Sequence, residues 1–179
     1  MNLTLTDLRE NIEQDIFCFE FEKEFIIQSI QCIPMIVRYK LDTVGIKLSL
    51  AQWSRFNWFD RYQLSVLPCN KKTEIEHYES FLIGLLNHYG FYSIARLPGN
   101  VLPGRAPELP DGIRILLNQR LQQHGQDISE AQWNGLTDLE RFALSKLIRE
   151  GHESKNLIPA LFEFGILNSP PLDVDEQCI

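Results

Sequence analysis

The sequence lacks the local patterns that most metal sites and nucleotide sites require. Its four cysteines include no Cys-x-x-Cys pair, and its four histidines show no His-x-x-x-His spacing, so a zinc or iron–sulfur signature is missing. The glycine-rich motifs G-x-G-x-x-G and G-x-x-x-x-G-K-[ST] are missing as well, which removes the usual nucleotide cradles. We therefore expect no cofactor and no bound metal.

The chain also lacks an apolar run of the roughly 20 residues that cross a bilayer. Its longest runs, FIIQSIQCIPMIV and FLIGLLNHYGFY, are interrupted by polar residues. The first residues show no basic start followed by an apolar block, so no secretory signal or transit peptide is evident. We expect no membrane span, a cytoplasmic location with reduced cysteines, and one globular domain over residues 1–179.

Positive charge is scarce overall but concentrated in one region. The net charge is −7, and a field of that sign repels phosphates, which argues against a nucleic-acid partner. Residues 1–24 carry seven acids against two bases, whereas residues 31–72 carry seven bases against Asp42 and Asp60. This basic region could steer an acidic protein partner.

A sequence repeat organises the chain, because residues 41–67 align without a gap on residues 121–147. Ten of the 27 aligned positions are identical in both copies, namely Leu41, Gly45, Ser49, Ala51, Gln52, Trp53, Arg61, Leu64, Ser65 and Leu67. We interpret this match as an internal duplication. Repeat 1 covers about 30–90 and repeat 2 about 110–166, with a proline-rich crossover at 95–112.

The repeated polar residues are typical of helix caps. Ser49-x-x-Gln52 and Ser129-x-x-Gln132 predict capping boxes, in which the serine hydroxyl and the glutamine side chain each accept a backbone hydrogen bond. Thr73, three residues before an acid, is expected to start a later helix. Because capping occupies these serines and glutamines, they are poor candidates for a catalytic site, and we predict that the protein is not an enzyme.

The repeated glycines and tryptophans also have structural explanations. Gly45 and Gly125 follow amphipathic segments and can supply the left-handed residue that ends a helix. Trp53 and Trp133 lie one turn inside the short capped helices, where a large ring is expected to fill the junction between neighbours.

These patterns predict an all-α fold. We expect two pseudo-repeated helical units, of about three to four helices each, packed around one core. The alternation in IFCFEFE at 16–22 indicates an extended phenylalanine-rich N-terminal arm that inserts its rings into the helical core, or a short strand.

One long stretch resembles the nitrate reductase-associated protein family of cyanobacteria (NarM-type). The resemblance begins in FEFEKEFIIQSIQCIPMIVRYKLDTVGIKLSLAQWSRF and continues in LSVLPCNKKTEIEHYESFL. The matching residues are Cys32, Ile33, Pro34, Met35, Val37, Arg38, Lys40, Leu41, Asp42, Gly45, Lys47, Leu48, Ser49, Leu50, Gln52, Trp53, Pro68 and Cys69. The match covers most of residues 17–90 closely.

The resemblance implies an accessory protein, either an assembly or maturation factor or a small subunit. Its partner would be the catalytic subunit of the assimilatory nitrate reductase, a ferredoxin-dependent enzyme that contains molybdopterin. The family supplies no catalytic residue that could be transferred to this chain.

Comparing the two copies suggests where such a partner would bind. Arg38, Lys40, Asp42 and Lys47 become Asn118, Arg120, Gln122 and Asp127 in the second copy. Arg38 and Asp42 are four residues apart and share one helix face. We hypothesise that these four residues of copy one bind the partner, against the alternative of an ordinary exposed salt bridge.

Two other functions remain open from the sequence. The first is a helical protein that binds a cofactor or small molecule, such as a molybdopterin intermediate, in a pocket lined by Trp53, Arg38 and Cys69. The second is a thiol-dependent enzyme that uses Cys32 or Cys69.

Overall fold

The computed structural model describes residues 15–27, 30–97, 112–122, 126–149 and 155–168. Within these ranges the regular secondary structure is helical, apart from one isolated antiparallel bridge between Ile46 and Arg96. This confirms the all-α class. The chain divides into two compact units, Met1–Pro107 and Glu108–Ile179. The single domain and the duplicated architecture stay predictions, and each unit is described by itself.

Three consecutive helices have similar lengths in the two units. The first unit contains α1 (Glu20–Ile27), α2 (Met35–Thr43), α3 (Leu50–Arg55), α4 (Trp58–Val66) and α5 (Lys72–His88). The second contains α6 (Ile113–Gln122), α7 (Glu130–Gly135), α8 (Asp138–Leu147) and α9 (Leu157–Glu163). In each unit a helix of nine or ten residues precedes a six-residue helix and another of nine or ten.

Both predicted serine capping boxes are present. The Ser49 hydroxyl accepts a hydrogen bond from the Gln52 backbone N–H at 3.2 Å, and Gln52 Oε1 accepts from the Ser49 backbone N–H at 2.9 Å. The Ser129 and Gln132 bonds measure 3.2 Å and 3.1 Å. The following helices begin with the same arrangement, at Asn57–Asp60 and Thr137–Glu140. The same local hydrogen bonds are thus present where four helices begin.

Two other helix boundaries can be compared with the sequence. Gly45 has a φ of +67° directly after α2 and its C-cap, which confirms the left-handed ending; Gly125 lies outside the described residues. The prediction that Thr73 starts α5 is wrong, because α5 already includes Lys72. The Glu74 carboxylate accepts from the backbone N–H groups of Asn70 and Lys71, so an acid inside the first turn provides the cap.

The predicted extended arm is a helix from Glu20 onward. The Glu22 carboxylate accepts from the backbone N–H of Phe19 at 3.2 Å, which is the N3-to-N-cap half of a capping box. That local signal prevails over the alternation in the sequence. Phe19 is buried as expected, whereas Phe17 is 53% exposed and Phe21 is half-buried.

Trp53 lies at the centre of the first unit's core. It is fully buried, and its indole Nε1–H donates to the Ile30 carbonyl at 2.9 Å. Its ring packs edge-on against Phe56, with 6.3 Å between the centroids. Trp133, at the equivalent position in α7, is only half-buried. The repeated tryptophans therefore differ in how much apolar surface they bury.

This difference predicts unequal costs of truncation. Trp53→Ala should lower the free energy of unfolding by about 3–5 kcal/mol, because it empties a filled core site. The matched change Trp133→Ala should cost about 1 kcal/mol. Urea denaturation followed by circular dichroism at 222 nm measures both, and equal losses would contradict the assignment of Trp53 as the core residue.

Candidate functional site

The four residues predicted to bind a partner do not share one environment. Arg38 and Asp42 on α2 are half-buried, and Lys47, which follows that helix, is exposed. Lys40 is only 7% exposed. The prediction that Lys40 belongs to an external surface is therefore corrected, since its ammonium group points into the first unit.

Lys40 binds the C-terminal end of a neighbouring helix. Its Nζ donates to the carbonyls of Ser65 and Leu67, both at 2.7 Å. Ser65 lies in the last turn of α4, and Leu67 is the C-cap residue of that helix. Because the last carbonyls of a helix lack partners within it and carry partial negative charge, a buried cation is well placed there.

A thiol and a phenol lie close to this ammonium group. Lys40 Nζ is 5.7 Å from the centroid of the Tyr78 ring, and the Tyr78 hydroxyl donates to the Leu64 carbonyl at 3.1 Å. Burial lowers the pKa of Lys40 to about 8. Burial also raises the pKa of the Cys69 thiol to about 11, against the opposing effect of the Lys40 charge. Cys69 is therefore protonated at neutral pH, unlike an activated thiol nucleophile.

The second unit contains a similar interaction. Arg120 occupies the position equivalent to Lys40, and its Nη1 donates to the Ile148 carbonyl at 3.4 Å. Ile148 is the C-cap residue of α8. A cation at this position thus binds the end of the equivalent helix in both units. Both copies have a basic residue at this position, and that shared charge was the sequence signal for the scaffold role. A comparison of residue identities alone missed this signal.

A second scaffold cation, which the sequence reasoning did not single out, is Arg61. Its Nε donates to the Trp53 carbonyl at 3.2 Å, and its Nη2 donates to the Ser54 carbonyl at 3.1 Å. Its counterpart Arg141 donates from Nη1 to the Trp133 carbonyl at 3.4 Å. The identity of this arginine in both copies could have revealed its role. Three of the seven bases in residues 31–72, namely Lys40, Arg61 and Arg38, donate to backbone carbonyls of the first unit.

Lys47 combines a fixed backbone with an exposed side chain. Its backbone N–H donates to the Ala95 carbonyl at 2.8 Å, and the Leu97 N–H donates to the Gly45 carbonyl at 3.0 Å. Arg38 is anchored through Nε, which donates to the Ile33 carbonyl at 3.0 Å. We call Arg38, Asp42 and Lys47 the α2 surface. The Arg38 side chain and the Lys47 backbone are already held in place, so these residues lose less conformational entropy when a partner binds.

Two general findings bear on the chemistry of the described residues. Among them, no group of three or more His, Cys, Asp or Glu side chains could hold a metal ion. No helix in the described ranges has both the length and the apolar character needed to cross a membrane.

Comparison with known proteins identifies one family. The model of a family described as conserved nitrate reductase-associated protein matches residues 18–164. That range includes the α2 surface, both serine capping boxes and the group of Lys40, Cys69 and Tyr78, which we call the Lys40 cluster. No curated protein and no solved structure gives a significant match.

The Lys40 cluster predicts a dependence of stability on pH. The folded pKa of Lys40 is about 8 and its ordinary value is 10.5, so the unfolded state binds more protons between these values and stability rises with pH. The Cys69 thiol acts oppositely, since its pKa rises from 9.0 to about 11 on folding. Comparing Cys69→Ala with Cys69→Ala/Lys40→Met isolates the lysine.

Between pH 8 and pH 10.5, the free energy of unfolding of Cys69→Ala should rise by about 3 kcal/mol relative to that of the double variant. Urea denaturation across this pH range measures the difference. A gap between the two variants that does not change with pH would show that Lys40 titrates as it does in the unfolded chain.

Proposed function

The chain belongs to the conserved nitrate reductase-associated protein family, and we propose that it is a non-catalytic accessory protein of nitrate reductase. It acts by association with the molybdopterin-containing, ferredoxin-dependent catalytic subunit of the assimilatory enzyme. Its role is that of an assembly or maturation factor, or of a small subunit. We further propose that it is of the cyanobacterial NarM type, with two pseudo-repeated units.

The exposed Lys47 is the observation that carries the proposed binding surface. The polar groups that both copies share already have hydrogen-bond partners within the chain: Ser49 and Gln52 cap α3, while Arg61 binds the carbonyls near its end. Lys47 is exposed and becomes Asp127 in the second copy, so scaffold geometry does not require a cation there. An exposed cation on an acidic protein suits an acidic region of a partner.

The structure gives less support to a molybdopterin-binding pocket lined by Trp53, Arg38 and Cys69. Trp53 is fully buried, its Nε1–H is bound to Ile30, and Cys69 is 4% exposed. Ligand binding at these side chains would require the core to open. The thiol-enzyme alternative has the same difficulty at Cys69, while Cys32 is exposed. Association through a surface needs no such rearrangement.

Capture from native cell extract tests the proposed function. The tagged protein should enrich the nitrate reductase catalytic subunit, identified by mass spectrometry. Repeating the capture in a strain that lacks molybdopterin separates the two roles: binding only to the apo-enzyme indicates a maturation factor, and binding to the mature enzyme indicates a subunit. Failure to enrich the reductase in either strain would contradict the proposal.

The α2 surface makes a more specific prediction. Arg38→Asn and Lys47→Asp give copy one the residues of copy two, and together they should weaken binding to purified nitrate reductase roughly tenfold, about 1.4 kcal/mol. Surface plasmon resonance measures the affinity, and circular dichroism checks the fold. The matched control Asp127→Lys should leave the affinity unchanged. Unchanged affinity in the folded double variant would remove Arg38 and Lys47 from the interface.

A further inference from the structure

Helix α6 has two large apolar side chains that are exposed in the part of the chain that the structure describes. Ile115 is 61% exposed and Leu116 is 49% exposed, and both are large aliphatic residues in the first turn of the helix. The core of the unit uses the opposite face, where Ile113, Leu117 and Leu121 are buried. Ile115 and Leu116 are the α6 apolar face.

In the first unit, helix α1 contacts the equivalent position. Met35 and Ile36 align with Ile115 and Leu116, yet Met35 is 4% exposed and Ile36 packs partly buried against the core. Helix α1 reaches α2 at this point, because the Glu22 carboxylate accepts from the Met35 backbone N–H at 2.9 Å. Glu22 is itself only 7% exposed. An acidic, phenylalanine-rich segment therefore lies against this position in the first unit.

The sequence does not repeat that segment ahead of α6. By the offset of the repeat, residues 100–107 would correspond to α1 (Glu20–Ile27). Residues 98–110 contain four prolines, whereas residues 15–30 contain none. The PGNVLPGRAPELP stretch also lacks the Phe/Glu pattern of α1. The second copy thus keeps apolar residues at Ile115 and Leu116, but its sequence has no counterpart of α1 ahead of them.

The charges of the two helices identify the kind of segment that would fit. Helix α1 carries Glu20, Glu22 and Glu24 against Lys23, while α6 carries no acid and two arginines, Arg114 and Arg120, of which Arg120 already binds the Ile148 carbonyl. An acidic amphipathic helix is therefore electrostatically complementary to α6. A second copy of this chain is a poor source of that helix, because Phe19 and Ile26 are buried in their own unit.

We propose that the α6 apolar face docks an acidic amphipathic helix of the partner protein, in the place that α1 takes in the first unit. This inference rests on the proposed function, in which the partner is nitrate reductase. The docked helix would place apolar side chains on Ile115 and Leu116 and its carboxylates beside Arg114.

Binding to purified nitrate reductase by surface plasmon resonance tests this inference. Ile115→Glu/Leu116→Glu should weaken binding at least tenfold, because it places like charge and polar groups at the contact. Phe25→Glu/Phe59→Glu is the control, since these rings are 51% and 59% exposed in the first unit, and it should leave the affinity unchanged. Equal affinity of the Ile115/Leu116 variant and the wild type would overturn the inference alone, whereas a wild type that does not bind would overturn the proposed function as well.

A second measurement does not depend on how the double variant folds. A photo-crosslinking amino acid at position 115 of the otherwise unchanged protein should crosslink to an acidic amphipathic segment of the reductase. Crosslinks confined to the same chain, or to a second copy, would overturn the inference.

Discussion

The first unit depends on one buried ammonium group and the two carbonyls that it binds. Lys40 extends from α2 to the Ser65 and Leu67 carbonyls at the end of α4. Replacing this contact with an apolar side chain would leave polar backbone groups buried without a donor, which costs about 1–3 kcal/mol for each group. The position of α4 against α2 therefore depends on a charge that looks, in the sequence, like part of an external patch.

The repeated sequence motif follows the same principle, in which side chains bind the unpaired backbone groups at helix ends. In both units an arginine binds the carbonyl of the repeated tryptophan at the end of the short helix, and a serine–glutamine pair caps its beginning. These short helices have six residues each and could not be stable alone. The recurrence of SLAQW and SEAQW thus reflects what a short helix needs at both of its ends.

The sequence predicted the serine capping boxes, and it missed caps supplied by an acid alone and contacts between distant residues. The boxes at Ser49 and Ser129 involve residues three apart, so spacing was sufficient. The burial of Lys40 depends on carbonyls 25 and 27 residues away, which helix periodicity cannot locate. The alternation at 16–22 suggested an extended chain. Glu22 caps α1 and also accepts a hydrogen bond from the Met35 backbone N–H, but in the sequence it is only one acid among several. Within the proposed site, Lys47 stays exposed as expected, and Lys40 does not.

Lys40 holds the fold whereas Lys47 is exposed, and a zero-length carbodiimide crosslinker tests most directly whether the exposed lysine is the one that meets the partner. It joins a lysine amine to a carboxylate in contact with it. In a mixture with purified nitrate reductase, mass spectrometry should find crosslinks from Lys47 to acidic residues of the catalytic subunit, and none from the buried Lys40. Crosslinks to the reductase from other lysines such as Lys71 and Lys72 alone, or no crosslinks to it, would contradict the account.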